Sequence, residues 1–188
     1  MRYVALLRGV NLGKHRKVGM ADLRAVLAGL GYSDVSTYLQ SGNAIFTSPE
    51  DHPEALEREI RREIERTLGL DVPVLIRTPQ ELASVVAGHP FPHALAQPAR
   101  YYVTFLSAPA DPAATATLDP AQFTPEEFRV GDRAVYVWLP EGAQRAQLSN
   151  AFWERIFGVT ATSRNWNTVT SLLDLVRRES GIKGTEPG

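Results

Sequence analysis

Two short segments concentrate the side chains that could do chemistry in this 188-residue chain. The first is Arg8-Gly9-Val10-Asn11-Leu12-Gly13-Lys14-His15-Arg16-Lys17, and the second is Ser163-Arg164-Asn165-Trp166-Asn167-Thr168. Each is expected where a strand gives way to a helix, a place where unpaired backbone N–H groups receive anions readily. Arg8, Lys14, Lys17 and Arg164 would counter the charge of a phosphate or carboxylate, and Asn11, Asn165 and Asn167 would add directional hydrogen bonds. A third segment, Tyr38-Leu39-Gln40-Ser41-Gly42-Asn43, supplies Gln40 and Asn43 as further donors. Tyr38 or Trp166 offers a stacking surface, and Ser163 and Thr168 complete the candidate ligand-binding set.

Each segment also has a plain reading. The opening segment is like a phosphate-binding P-loop only superficially, with three residues between its glycines and His15 where Ser or Thr would hold magnesium. It could equally be a solvated loop whose glycines permit the turn. In the second segment Ser163 or Asn165 can cap the last helix and Trp166 can anchor it. That accounts for two or three residues and leaves Arg164, Asn167 and Thr168 unassigned. His89 and His93 are separated by Pro90, Phe91 and Pro92, so they share no helix face, and no metal site or cofactor is expected. No Ser-His-Asp or paired-carboxylate arrangement stands out, so catalytic residues and any reaction are left open.

The elements that must position these groups follow a repeated order. Arg2 to Arg8 reads as an apolar strand. Met20, Leu23, Val26, Leu27 and Leu30 recur at helical spacing, with Gly31 just beyond them. Val35 to Gln40 and Ala44 to Thr47 read as a hairpin around Ser41-Gly42-Asn43. Leu56, Ile60, Ile64 and Leu68 form the stripe of a second helix, with Glu54/Arg58 and Glu57/Arg61 as (i, i+4) pairs. Val72 to Arg77 is a fourth strand with Pro73 hinting at an edge, and Thr78-Pro79-Gln80-Glu81 is a capping box. After Gly88 a proline-rich connection runs to Pro98. Strands at Tyr101 to Leu106, Glu127 to Val130, Ala134 to Leu139 and Val159 to Thr162 then alternate with helices near Pro112 to Leu118 and Leu148 to Phe157. A last helix is expected from about Asn165 to Glu179, with Trp166, Val169, Leu173 and Val176 on one face.

Two βαββαβ units in tandem predict an α+β protein of two ferredoxin-like, α/β-plait domains with an extra C-terminal helix. The expected division is 1–77, a connection over 78–98, a second domain over 99–180 and a flexible tail over 181–188. Alternation places Tyr136 and Trp138 on the open face of the second sheet, with Val135, Val137 and Leu139 facing the helices. In the first hairpin, Val35, Thr37, Leu39 and Ile45 are assigned to the helix side, and Tyr38, Gln40, Ala44 and Phe46 to the open face. Those open faces need a partner, either the other sheet and the last helix or a ligand between them.

The composition is globular, 44% hydrophobic and 22% charged, with a net charge of −1, so nucleic-acid affinity would need a local basic patch. The absence of cysteine excludes disulfides and thiolate sites and suits a reducing cytoplasm. No apolar run approaches the length of a membrane helix, so no membrane partner is expected.

Tyr3 to Gly13, Met20-Ala21-Asp22-Leu23-Arg24, Thr37 to Asn43 and Ser163 to Val169 together resemble the bacterial domain of unknown function 1697 family. The resemblance spans nearly the whole chain and implies a pair of α/β-plait domains, with no established activity and no catalytic residues. A basic Ser-Lys-Leu segment that relatives tend to carry is here Ala146-Gln147-Leu148, preceded by Arg145. The expected function is binding of a small anionic ligand, nucleotide- or phosphate-bearing, in an interdomain cleft. Single-stranded RNA binding on the open sheets and a non-catalytic interaction scaffold are the alternatives, and the oligomeric state is not specified.

Overall fold

A computed structural model describes residues 1–13 and 16–178; Lys14, His15 and the expected tail lie outside the described residues, as does Glu179. The first half runs β1 (Arg2–Leu7), α1 (Met20–Gly29), β2 (Ser33–Thr37), β3 (Asn43–Thr47), α2 (Pro53–Leu68), β4 (Val74–Arg77) and α3 (Pro79–Ala87). The second runs β5 (Tyr101–Leu106), α4 (Pro112–Ala116), β6 (Glu127–Val130), β7 (Ala134–Trp138), α5 (Asn150–Phe157), β8 (Ala161–Asn165) and α6 (Trp166–Arg177). The protein is thus mixed α+β. Its two antiparallel sheets have matching strand orders, β2-β3-β1-β4 and β6-β7-β5-β8. Among the described residues no helix is long and apolar enough to cross a membrane.

Three apolar layers hold the molecule together. In the first, Leu23 and Leu27 of α1 and Leu56, Ile60 and Ile64 of α2 pack on Tyr3, Ala5, Leu7, Ala44 and Phe46. In the third, Trp153 and Phe157 of α5 pack on Leu106, Val135, Val137 and Leu139. The middle layer joins the halves: Val4, Leu6 and Ile45 of one sheet meet Tyr101, Val103, Phe105, Tyr136 and Trp138 of the other, around Leu82 of α3 and the Trp166, Val169, Leu173 and Val176 stripe of α6. Phe91 and Ala94 of the proline-rich connection are buried in this layer too. The faces that a lone sheet would leave open therefore cover each other. Tyr136 and Trp138, on which single-stranded RNA would have stacked, are enclosed there.

Local chemistry sets the element ends. Thr78 and Glu81 form the reciprocal capping box of α3, and Asn165 Oδ1 accepts from the Thr168 N–H to cap α6. The strand before α6 runs to Asn165, so Ser163, Arg164 and Asn165 belong to β8 rather than to the helix. The first hairpin also departs from expectation. Thr37 pairs with Ala44 and Ser36 with Ile45, three positions from the register implied by a loop at Ser41-Gly42-Asn43. An odd shift exchanges the faces, so Ala44 and Phe46 face α1 and α2 while Ile45 faces the middle layer. The (i, i+4) pairs expected on α2 are absent among the described residues. Glu57 turns inward to accept the Ile76 N–H of edge strand β4 at 2.8 Å, and Arg61 instead holds Asp71 bidentately.

Candidate functional site

The three sequence segments meet where the two halves join, through Asn11 on Gln40 and Arg164 on Ser41, Gly42 and Asn43. Asn11 and Gly9 adopt left-handed conformations that turn the opening loop back on itself. The Asn11 amide then donates to the carbonyls of Val18 and Gln40 and accepts from the Val18 N–H, tying the loop to the first hairpin. Asn43, fully buried, donates to Tyr38 O and Ser41 Oγ and presents its Oδ1 to Arg164. Arg164 comes from β8 in the other half and is 6% exposed.

Every arm of that guanidinium is occupied. Nε donates to Asn43 Oδ1 at 2.5 Å, Nη1 to Thr162 Oγ1 and Ser163 O at 2.8 Å, and Nη2 to Leu7 O at 2.9 Å and to Ser41 O and Gly42 O at longer range. Burial pulls its pKa down to about 10, which leaves it charged at neutral pH. No carboxylate makes an ion pair with it among the described residues; carbonyl dipoles solvate the charge.

A second arginine repeats the arrangement in mirror fashion. Val4 pairs with Ile45 and Arg77, and Val103 pairs with Tyr136 and Arg164, so Arg77 and Arg164 occupy equivalent strand positions. By the same registers Leu7 corresponds to Leu106 and Gly42 to Arg133. Arg164 reaches Leu7 O and Gly42 O; Arg77 reaches Leu106 O and Arg133 O, and each also donates to the carbonyl preceding itself. Burial, with help from the nearby Arg133, brings the Arg77 pKa down to about 10. The pair is a reciprocal clamp between the halves.

The other candidate residues divide by environment. Trp166 stacks on Tyr101 with ring centroids 4.9 Å apart and Thr168 is buried, so both serve packing. Tyr38 is half-buried against the middle layer, while Gln40, Asn167 and Lys17 are exposed. Lys14 lies outside the described residues. His89 packs on Trp166 and His93 pairs with Glu127, so the two histidines serve separate contacts.

Arg8 does not stand free: its Nε and Nη2 hold both oxygens of Glu154 on α5 at 2.9 and 3.0 Å. Burial raises the Glu154 pKa, but hydrogen bonds from Arg8 and the Ala161 N–H, with the charge of Arg8, outweigh it and hold the carboxyl below its ordinary range. A group depressed on folding stabilises above its unfolded pKa, and that contribution vanishes as pH falls through the folded value. Allowing for solvent screening, Glu154→Gln is expected to lower stability by roughly 0.5–1 kcal/mol at neutral pH. Urea unfolding should show that difference shrinking once the carboxyl is protonated in acid. A cost independent of pH would reassign Glu154 to packing alone.

Beside this anchor lies a cavity of about 330 Å³, bordered by Leu12 of the opening loop and Ser163 of β8. Its origin is an asymmetry between the halves. α2 has 16 residues and α5 has 8, yet both end on a left-handed glycine, Gly69 or Gly158, shortly before the equivalent edge strand. The shortening therefore falls at the N-terminal end of α5, by about two turns. Leu139, Ala143, Ala146 and Leu148, from the segment that replaces those turns, line the cavity walls. Where the first half pairs Ala5 with Ile76 beneath helices, the second pairs Thr104 with Ser163 on the cavity floor. Thr104 Oγ1 lies 2.7 Å from Ser163 Oγ, which donates to Asn150 Oδ1 at 2.5 Å. The pattern of hydroxyls on strand positions was the available sequence signal for this site, and the sequence reading singled out Ser163 alone.

The chain is similar in fold to the conserved bacterial protein SP0830 from Streptococcus pneumoniae. The TM-score is 0.72 at 22% identity, over 94% of this chain and 98% of that one. No curated protein matches the sequence. The sequence model of DUF1697, described as a protein of unknown function, matches residues 1–136, and the chain belongs to that family.

Proposed function

We propose that this is a small-ligand-binding protein whose site is the cavity beneath the opening loop, with the reciprocal arginines as the scaffold that holds it. The observation that carries this reading is the placement of Thr104 and Ser163 where the other half has Ala5 and Ile76, at the spot where two helical turns are missing. The partly exposed Ser163, with Tyr102, Ser149 and Asn150 around it among apolar side chains, suits a ligand with an apolar body and a hydrogen-bonding end. Among the described residues the cavity lining carries no charged side chain. An anionic group on the ligand would therefore remain outside the apolar part of the recess; Arg16 and Lys17 are exposed on the loop that supplies Leu12 to the lining. This keeps the nucleotide- or phosphate-bearing ligand in view but moves its recognition away from Arg8, whose Nε and Nη2 hold Glu154, and from Arg164, whose three nitrogens are all engaged.

We read each half as a ferredoxin-like α/β plait, residues 1–77 and 99–180 joined through 78–98. Strand order and helices packed on one face of each sheet support that reading. The cysteine-free chain suits a cytoplasmic setting.

Thermal unfolding against millimolar nucleoside monophosphates and sugar phosphates tests the function, since a ligand of the native state raises stability, by about 2.7 kcal/mol at a hundredfold excess over Kd. At least one compound should raise the unfolding temperature, and Ala146→Trp, which fills the cavity, should abolish the shift. A shift that survives Ala146→Trp would place binding elsewhere, and no shift from any compound would count against the reading. A second reading, a purely structural role for the clamp with no ligand, is favoured by the saturation of Arg164 and would be left standing by that last outcome.

A further inference from the structure

One backbone group beside the cavity lacks the partner that its counterpart in the first half has. Both α2 and α5 end on a left-handed glycine, so the eight residues of α5 match residues 61–68, and residues 53–60 of α2 have no counterpart. Glu57 belongs to that unmatched part, and it accepts the Ile76 N–H at 2.8 Å on the open edge of β4. Ile76 corresponds to Ser163, since Ala5 pairs with Ile76 and Thr104 with Ser163. The Ser163 N–H points the same way. Ser107 N donates to Thr160 O, so residues 160, 162 and 164 turn their backbone groups to β5, while Ala161 and Ser163 turn theirs to the open edge of β8. There Glu154 accepts the Ala161 N–H at 3.1 Å, and Ser163 O accepts from Arg164. The Ser163 N–H has no partner among the described residues. Ser163 is partly exposed and lines the cavity, and Glu57, at the equivalent place, is partly exposed too.

We infer that the cavity takes a carboxylic acid with an apolar body, one of whose carboxylate oxygens accepts the Ser163 N–H as Glu57 accepts that of Ile76. The first half thus carries in its own chain what the second receives as a ligand. A charged acceptor makes the stronger hydrogen bond to such an N–H. The carboxylate stays on the polar side of the recess, with Ser149 and Asn150, and the apolar body lies against Leu12, Ala143 and Ala146. An ammonium at this end is disfavoured, because it has no lone pair to offer. This inference rests on the cavity being the binding site and adds the chemical class of the ligand's polar end.

Phenylacetate, a carboxylate on a small apolar body, is the probe. Titrated into isotope-labelled protein and followed by amide NMR, it is expected to move the Ser163 amide proton downfield, and to move it further than that of Ala161, which Glu154 already holds. Ser163→Ala keeps the N–H and should bind phenylacetate nearly as the wild type does. Ser163→Pro removes the outward hydrogen at an edge position, where proline is tolerated, and should bind about tenfold more weakly, the worth of one hydrogen bond to a charged group. Ala146→Trp should abolish binding. Binding that Ala146→Trp removes but that leaves the Ser163 amide proton unmoved overturns the inference and leaves the cavity as the site; the wild-type spectrum decides this even where Ser163→Pro does not fold. Equal affinity in folded Ser163→Pro and Ser163→Ala overturns it as well, as does phenylacetate binding that survives Ala146→Trp. Failure of phenylacetate to bind a protein that a nucleoside monophosphate or sugar phosphate stabilises through this cavity overturns the carboxylate alone, and failure of all these compounds overturns the site itself.

Discussion

Arg164→Met is expected to lower the unfolding free energy by roughly 3–5 kcal/mol, the scale of several charge-assisted hydrogen bonds lost together at about 1.5–3 kcal/mol each, less the relief of unburying the charge. Methionine keeps most of the side-chain volume, so the loss is not mainly a cavity. It comes from the acceptors left behind: Asn43 Oδ1 loses a donor in a fully buried place, at a cost of about 1–3 kcal/mol, and the Leu7, Ser41 and Gly42 carbonyls lose a charged donor as well. Removing the charge itself works the other way, because a guanidinium without a carboxylate partner is costly to bury. The number and geometry of the acceptors decide the sign. Six contacts around a planar fork match arginine, and a point-charge ammonium with three donors cannot reproduce them. Arg164→Lys should therefore recover only part of the loss in urea titrations. A methionine variant as stable as the wild type would mean that charge burial outweighs the carbonyl contacts, and the clamp would lose its energetic basis.

The sequence made much of this fold readable because its signals were local. The Leu56, Ile60 and Ile64 stripe, the Thr78/Glu81 capping box and the neighbouring strands that begin at Glu127 and Ala134 each depend on residues within a few positions, and each stands as expected. The first hairpin failed on parity. Apolar residues occupy both Ile45 and Phe46, so the strand pattern did not choose a face, and the register was set by loop geometry three residues away. Arg164 was legible as an unusual donor, but its acceptors come from Leu7, Ser41, Gly42 and Asn43, more than a hundred positions earlier. No local pattern distinguishes a cation awaiting a ligand from one awaiting a distant backbone. The cavity was harder still to foresee. It is made by two turns that one half has and the other lacks, and only comparison of the two strand registers shows that Thr104 and Ser163 stand where apolar residues would otherwise be covered.

The same comparison gives the clamp an evident construction rule, in which each half offers the end of its first strand and the start of its third to the arginine of the other. Gly42 is where that rule is tightest. It has a φ of +77°, and a Cβ there would lie 2.5 Å from Val10 Cγ2 and 2.8 Å from Leu7 Cβ. Gly42→Ala is thus expected to cost roughly 2–4 kcal/mol, combining the left-handed penalty with overpacking. Gly69→Ala separates the two contributions. Gly69 has a φ of +67° and nothing within 4 Å of its Cβ position, so it should lose only about 1 kcal/mol. Equal losses at the two glycines would show that Leu7 and Val10 yield freely and that the junction is loose. If it is tight, the alanine methyl must also displace the Gly42 carbonyl, which accepts from Arg164. Gly42→Ala combined with Arg164→Met should then cost less than the sum of the two, by about 0.5–3 kcal/mol, because both substitutions break the same contact. Strict additivity would mean that the glycine and the arginine act independently although they touch.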